Sequence, residues 1–486
     1  MKEGYDLIVI GSGPGGYVAA IKAAKLGLNT ALVENRELGG TCLNRGCIPT
    51  KTLMHSSHLY QEALSFQEAG IRFTGLSYDY DRMKERKEEV VCRIRQGIQG
   101  LLEANKVTLL YGTATILTRE GNRQEEYLPG TRVDCHQVSV RSREGEQVYN
   151  TDRILIATGS KPVIPGIEGT ELPDVVTSDE LLSNEGRLYK KLLIIGGGVI
   201  GVEFASLYRE LGCEVEMIEA MDRILPNMDK EISQSIAMNL KKKGVAIHTR
   251  ARVAGIYRDS EQGLSCEYET SDGTAKTTKA EGILLAIGRR ANTEGLFEEG
   301  FLPELDGAWL KVDESFETSI PGIYAIGDVI KGRQLAHAAS AQGIAAVERM
   351  SGREPSVLLS VIPSCIYTTP EAAVVGMEES EAVEKGYTVK TGKYPMLGNS
   401  KTLLSMGERG FIKVVSDADS GRILGAALLC DRATDMVSEF ATAIGKGLTV
   451  KDLSSVIRPH PTYSEAITEA LEDVEGMAIH LLPRRR

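Results

Sequence analysis

Tyr5-Asp6-Leu7-Ile8-Val9-Ile10-Gly11-Ser12-Gly13-Pro14-Gly15-Gly16 and Lys191-Leu192-Leu193-Ile194-Ile195-Gly196-Gly197-Gly198-Val199-Ile200-Gly201 are two copies of one pattern. Each runs from an apolar strand through a glycine-rich turn into a helix. A second strand follows and ends on an acid, Glu34 in the first copy and Glu219 in the second. The spacing is the same in both, twenty-three residues from Gly11 to Glu34 and from Gly196 to Glu219. The first glycine of each copy makes the tight strand-to-helix turn. The second (Gly13, Gly198) lets the backbone approach a pyrophosphate, and the third (Gly16, Gly201) lets the helix pack on the sheet. Phosphates then meet a positive helix N-terminus. The acid accepts hydrogen bonds from ribose hydroxyls, which favours a dinucleotide without a 2′-phosphate. One such motif alone would be weak evidence. Two, in full strand-helix-strand context, predict two Rossmann-like α/β domains.

Two dinucleotide sites in one chain suit an enzyme whose bound flavin exchanges electrons with a nicotinamide. The first copy leads directly into a close pair of cysteines, so it is expected to hold FAD and the second copy NAD. Further along, a strand at Arg153 to Ala157 runs into Thr158, Gly159 and Ser160, and another at Ile323 to Ile326 runs into Gly327 and Asp328. Both turns lie at carboxyl ends of strands, where open α/β sheets bind ligands. Apolar residues at helical spacing predict a long helix from Asp81 to Asn105. From about Pro355, strand-like runs such as Phe411 to Val415 and Ile423 to Leu429 alternate with helical segments, predicting a separate α+β domain. The expected division is 1–160 for FAD, 161–288 for NAD, 289–352 completing the FAD site and 353–486 as an interface (dimerisation) domain.

Length and composition agree. A chain of 486 residues exceeds what one hydrophobic core organises. Its 42% hydrophobic and 25% charged residues are those of a folded globular protein. A net charge of -11 disfavours nucleic acid or an anionic membrane as partner. No run of eighteen apolar residues occurs, and strand-like residues begin by Tyr5, so a cytoplasmic protein without a leader is expected. Arg484 to Arg486 read as a solubilising tail. Six of the eight cysteines stand singly, without metal-ligand spacing, so no metal is expected. In a reducing compartment a deliberate pair, Cys42 and Cys47, points to catalysis rather than structure.

Four residues separate those two thiols. Five helical steps turn the chain by about 500°, which would leave the sulfurs roughly 140° apart on an undistorted helix. A disulfide between them therefore needs an irregular turn, which Gly46 and Pro49 make possible. A bond made that way is readily reduced.

The segment Gly39-Gly40-Thr41-Cys42-Leu43-Asn44-Arg45-Gly46-Cys47-Ile48-Pro49-Thr50-Lys51 closely resembles the redox-active segment of the pyridine nucleotide-disulfide oxidoreductases. The resemblance extends over essentially the whole chain. It takes in both glycine motifs, Ala157-Thr158-Gly159-Ser160, Ala286-Ile287-Gly288-Arg289, Tyr324-Ala325-Ile326-Gly327-Asp328 and His460-Pro461-Thr462-Tyr463-Ser464-Glu465-Ala466. It implies that Cys42 exchanges with substrate and Cys47 lies against the flavin in the charge-transfer role. It implies too that Lys51 approaches the flavin and pairs with Glu203, and that Asp328 holds the ribityl chain. Thr41, Thr158, Gly159, Ser160, Gly327, Ala336 and His337 join the expected cofactor contacts, as does Gly288. His337 is read as structural, near the flavin turn.

A thiol with a pKa of about 8.5 is mostly protonated at neutral pH, so attack on Cys42 requires a base. His460, one of seven histidines, precedes Glu465 by five residues. A carboxylate that orients an imidazole is the logic of a catalytic dyad, although on bare spacing a His near a Glu is more often a surface or packing pair. The resemblance implies that this dyad serves the cysteine pair of the other subunit in a two-fold dimer. Within the family, Glu219 has no adjacent arginine pair for a 2′-phosphate, which favours NAD and argues against the glutathione- and trypanothione-type reductases. The last cysteine, Cys430, is single, which argues against mercuric ion reduction. The soluble transhydrogenases lack the redox pair. The remaining expectation is oxidation of a protein-bound lipoyl dithiol. It would be delivered by a lipoyl-bearing acyltransferase of a 2-oxoacid dehydrogenase complex or by the lipoyl carrier of glycine cleavage. A reading from another class, a flavin-bearing assembly component, leaves Cys42, Cys47, Lys51, Glu203 and His460 without a purpose. Leu397 to Met406 is expected to carry interface features.

Overall fold

The computed structural model describes residues 4–118, 135–259 and 263–483; the arginine tail 484–486 lies outside the described residues. Both glycine motifs begin five-stranded parallel sheets with the same internal plan. In the first sheet the order is Ile323–Ala325, Ile154–Ile156, Leu7–Ile10, Thr30–Glu34, Thr108–Tyr111. In the second it is Val175–Thr177, Gly282–Leu285, Lys191–Ile195, Glu214–Glu219, Ala246–Thr249. Each motif strand sits at the centre, flanked on one side by the strand that ends in the acid. Such strands are covered on both faces, so they read as continuous apolar runs rather than alternating ones. Leu7, Ile8, Val9, Leu192, Leu193 and Ile194 are accordingly buried.

Equivalent helices follow the two turns, Pro14–Lys25 and Val199–Glu210, each of 12 residues. A Cβ on Gly16 would stand 1.8 Å from the Gly11 carbonyl oxygen, and one on Gly201 would stand 2.1 Å from that of Gly196. Only glycine allows each helix to approach its own strand so closely. The segment 289–350 does not stand apart. Its strand Ile323–Ala325 edges the first sheet, and its helix Ala336–Met350 packs on Pro14–Lys25, so Ile326, Ala345 and Val347 share one core with Leu7 to Ile10.

The long helix spans Tyr80–Ala104, with Asp79 capping it by accepting from the Arg82 amide at 3.0 Å. Beyond it, a five-stranded antiparallel sheet runs Ser364–Ile366, Ala372–Gly376, Ile423–Leu429, Phe411–Asp417, Val389–Pro395. The helices Ala433–Lys446 and Glu465–Asp473 cover it. None of the described helices is long and apolar enough to cross a membrane.

Candidate active site

A single cavity of about 2000 Å³ receives both glycine turns and the cysteine pair. That is roughly twice the upper end of an ordinary ligand pocket. The helix predicted to be irregular is broken between the two cysteines. One piece is Gly40–Arg45, the other Cys47–Ser65, and Gly46 between them has left helical geometry at φ -145°, ψ -113°. A Cβ at Gly46 would stand 3.0 Å from the Thr41 carbonyl oxygen, so glycine is what lets the two turns close up. Asn44 braces the break. Its Nδ2 donates to the Gly40 and Leu38 carbonyls at 2.9 and 3.0 Å, and its Oδ1 accepts from Arg95 Nη2 at 2.7 Å.

Cys42 and Cys47 are free thiols joined by a side-chain hydrogen bond. The pair is electrostatically unequal. Cys42 is pushed up, first by that hydrogen bond and then by burial. Cys47 is brought down to about 7, first by the hydrogen bond from Cys42 and then by the Lys51 charge, against burial and Glu203. Cys47 is therefore the member of the pair that carries negative charge most readily.

Lys51 Nζ lies one helical turn beyond Cys47 and reaches both carboxylate oxygens of Glu203, at 2.9 and 2.7 Å. Glu203 sits on Val199–Glu210 and is only 3% exposed. The Tyr367 amide donates to the same carboxylate at 3.2 Å, and its ring centroid lies 4.8 Å from the Lys51 ammonium. Tyr367 carried no motif signal in the sequence, because it is a backbone amide and a ring face that do this work.

Each motif's acid plays the same part. Glu34 accepts from the Ser12 amide at 3.0 Å and the Arg36 amide at 2.7 Å; Glu219 accepts from the Gly197 amide at 2.5 Å and the Met221 amide at 2.6 Å. In both motifs, then, the carboxylate is pinned between the residue after the first glycine and the residue two beyond itself. The sequence suggested only its ribose role.

Three observations test whether dinucleotides fit. Gly13 and Gly198 have ordinary negative φ values, -60° and -71°, and a Cβ on either would meet no protein atom within 4 Å. The space they leave open is therefore reserved for something other than protein. Both helices lack a side-chain cap, so the first-turn amides, those after Pro14 in the first helix and from Val199 in the second, have no capping side chain and can bind phosphate. Finally, the Thr158 hydroxyl is buried on the cavity wall without a hydrogen-bond partner. The residues present fit the groups.

At the far side of the first motif, Asp328 Oδ2 accepts from Ser160 Oγ at 2.7 Å, and that hydroxyl accepts from Arg289 Nε at 2.8 Å. Arg289 thus orients the Ser160–Asp328 pair, a link that its place in a motif did not reveal. Gly159, Gly288, Gly327, Ala336 and Thr41 also line the cavity. His337 lines it too, donating through Nε2 to the Pro363 carbonyl at 2.8 Å.

His460 and Glu465 stand elsewhere. His460 Nδ1 donates to Glu465 Oε1 at 2.9 Å, and the Thr462 amide donates to Glu465 Oε2 at 2.9 Å. Burial pushes the Glu465 carboxyl up, but the Thr462 amide and His460 more than offset it, leaving it below its ordinary value. Neither residue lines the cavity, and the His460 side chain is 70% exposed. Close by in sequence, Ile457 is 96% exposed.

Two dinucleotide cradles opening on one cysteine pair define a dithiol/disulfide oxidoreductase with a flavin and a nicotinamide as its cofactors. The chain belongs to the pyridine nucleotide-disulphide oxidoreductase family, whose model matches residues 5–343, and the dimerisation domain of that family matches residues 362–471. It is 41% identical to a dihydrolipoyl dehydrogenase of Bacillus subtilis over 485 residues, covering 99% of this chain and all of the relative. It is 36% identical to a dihydrolipoyl dehydrogenase of Geobacillus stearothermophilus, covering 99% and 98% of the two chains. Among solved structures, LpdA of Mycobacterium tuberculosis superposes with a TM-score of 0.85 at 26% identity, covering 96% of this chain and 99% of that one. The HOCl-induced flavoprotein disulfide reductase RclA of Escherichia coli superposes with a TM-score of 0.82 at 28% identity, covering 96% and 99%.

Proposed function

We propose that this chain oxidises protein-bound dihydrolipoyl groups and reduces NAD, as a two-fold dimer with shared active sites. The observation that carries the reading is that Cys42 and Cys47 open on the same cavity as both dinucleotide cradles. Full-length relatives named dihydrolipoyl dehydrogenase support the choice of dithiol.

In this reading the partner subunit's His460 takes a proton from one lipoyl thiol. The resulting thiolate attacks Cys42 Sγ of the oxidised pair, and the Cys42–Cys47 bond breaks with Cys47 leaving as thiolate. The second lipoyl thiol attacks the first lipoyl sulfur, closes the lipoyl disulfide and releases Cys42, which takes the first proton from the imidazolium, and the imidazole so regenerated receives the proton of the second thiol. The substrate has lost two electrons and two protons, and the cysteine pair holds the electrons. FAD, when bound, supplies the two-electron relay from this pair to NAD.

The chain's own residues prepare that transfer. Lys51 stabilises the Cys47 thiolate, and Glu203 holds Lys51 in place. Ser160 and Asp328 orient the flavin chain, with Glu34 at its adenosine ribose. On the nicotinamide side Gly196 and Gly198 line the cavity where the pyrophosphate is received, and Gly201 lets their helix pack close to its strand. The pinned Glu219 carboxylate selects NAD, because a 2′-phosphate would meet a negative charge there. The next arginine in sequence, Arg223, is turned to the Pro226 carbonyl, which its Nη2 meets at 2.9 Å. The lipoyl group arrives on a separate acyltransferase or carrier protein in the cytoplasm.

The test is anaerobic mixing of the flavin-loaded protein with dihydrolipoamide and either NAD or NADP. Rapid NADH formation with little NADPH is the expected result. Absence of turnover in the loaded protein would move the substrate to another disulfide, and equal use of NADP would overturn the role given to Glu219.

A further inference from the structure

The helix Cys47–Ser65 and the helix Val199–Glu210 are joined at two places, not one. The first joint is Lys51 with Glu203, to which the Tyr367 amide adds its hydrogen bond. In the second, Ser57 Oγ donates to Glu210 Oε2 at 2.6 Å, Gln61 Nε2 donates to the Glu210 carbonyl, and Thr369 Oγ1 lies 3.5 Å from Glu210 Oε1. Each joint takes residues from both helices and one from the segment 367–369 of the interface domain. Ser57 and Glu210 are 0% and 5% exposed.

Lys51 and Ser57 are six positions apart in the sequence, and Glu203 and Glu210 are seven. These are spacings of about 9 and 10.5 Å along the helix axes. Leu53 and Met54 of the redox helix also share an apolar core with Val202, Phe204 and Leu207 of the other, contacts that carry little direction. Two joints that far apart fix both its height and its rotation. The chemistry of the second joint is also unusual for packing. Burying a carboxylate is costly unless its oxygens are hydrogen-bonded. Among the described residues Glu210 forms no ion pair with Lys or Arg, and its oxygens are met by the hydroxyls of Ser57, Ser206 at 3.3 Å and Thr369. A directional polar contact in that position specifies register, which an apolar pair would not.

We propose that Ser57 and Glu210 are positioning residues of the electron path, holding the redox helix so that Lys51 and Glu203 stay in place beside the cysteine pair. The inference rests on the roles given above to Cys47 and Lys51. The groups facing Cys47 are Cys42, Lys51, Glu203 and Tyr367, and of the charged ones Lys51 has the stronger influence. Loosening the second joint lets the ammonium drift and withdraws stabilisation from the Cys47 thiolate.

The experiment follows reaction of Cys47 with methyl methanethiosulfonate against pH, read by peptide mass spectrometry, in flavin-loaded protein carrying Cys42→Ser throughout. Ser57→Ala changes no charge, so a shift in midpoint reports displacement. It is expected to move the midpoint upward by about half a unit. Glu210→Met serves where Ser57→Ala does not load flavin. Loss of the carboxylate would by itself draw the midpoint down, so an upward shift again reports displacement. Lys51→Met in the same background is the reference. If Lys51→Met shifts the midpoint upward and the joint variants leave it unmoved or lower it, the proposal is wrong. If Lys51→Met moves nothing, it is the underlying reading of Lys51 that fails.

Discussion

Lys51 and Glu203 are 152 positions apart in the sequence, yet the Lys51 ammonium lies within 2.9 Å of both Glu203 carboxylate oxygens, across the boundary between the two dinucleotide domains. The pair is half-sheltered, with side-chain exposures of 29% and 4%, so its charges act on Cys47 with less screening than a surface pair would.

The consequence is a measurable asymmetry. Cys47 is held at about 7, so its thiolate prevails above that pH and is lost as pH falls below it. Lys51→Met removes the stabilising cation and is expected to raise the midpoint of Cys47 alkylation by about one unit, equivalent to about 1.4 kcal/mol. Glu203→Gln removes an opposing charge. Where the lysine keeps its position, the midpoint moves down. Identical midpoints in all three proteins would detach the pair from the cysteine.

The glycines separate into two kinds, and substitution distinguishes them. Alanine at Gly16 or Gly201 collides with a backbone carbonyl of its own turn, and overpacking of that order costs about 1–3 kcal/mol. Thermal stability is expected to fall together with cofactor binding. Alanine at Gly13 or Gly198 meets no protein atom. Gly13→Ala is therefore expected to fold normally but retain less flavin per chain, and Gly198→Ala to raise the KM for NAD roughly tenfold or more. A Gly13→Ala protein with full flavin content would show that the open space there is not the phosphate cradle.

Much of this arrangement was legible in the sequence because it is local. Gly11 to Glu34 and Gly196 to Glu219 are continuous strand-turn-helix-strand units, and the break at Gly46 follows from the angular mismatch of two cysteines on one helix. Contacts made between distant segments left no local trace. Ser57 and Glu210 lie in ordinary helical stretches, Tyr367 acts through its backbone, and Arg289 reaches Ser160 only because two strand ends meet. The His460 motif implied a dyad that serves another subunit's cysteine pair, but no local pattern says which surfaces bring the two together.

Glu219 makes a sharper claim about cofactor choice. Its carboxylate is pinned by the Gly197 and Met221 amides, so it cannot turn aside for an added phosphate without breaking both bonds. Hydrogen bonds to a charged group are worth about 1.5–3 kcal/mol each. Glu219→Ala is expected to raise the KM for NAD by about tenfold or more and to narrow its preference over NADP, with kcat less affected. Unchanged discrimination in steady-state kinetics would place the determinant elsewhere.

The position of His460 leads to a prediction about pairs of subunits. The dyad is formed, with 2.9 Å between His460 Nδ1 and Glu465 Oε1, but it lies outside the cavity of its own chain. If each dyad serves the neighbouring subunit, His460→Gln and Cys42→Ser inactivate different components of a shared site. Loss of a general base alone is expected to slow dihydrolipoamide oxidation by about 10²- to 10⁴-fold. A heterodimer with one chain of each kind, purified through two affinity tags, regains one intact site of two and so about half of wild-type turnover. Each homodimer stays inactive. A heterodimer no more active than its parents would mean that His460 and Cys42 work within one chain, and the exposed dyad would then have to move onto its own cysteine pair during turnover.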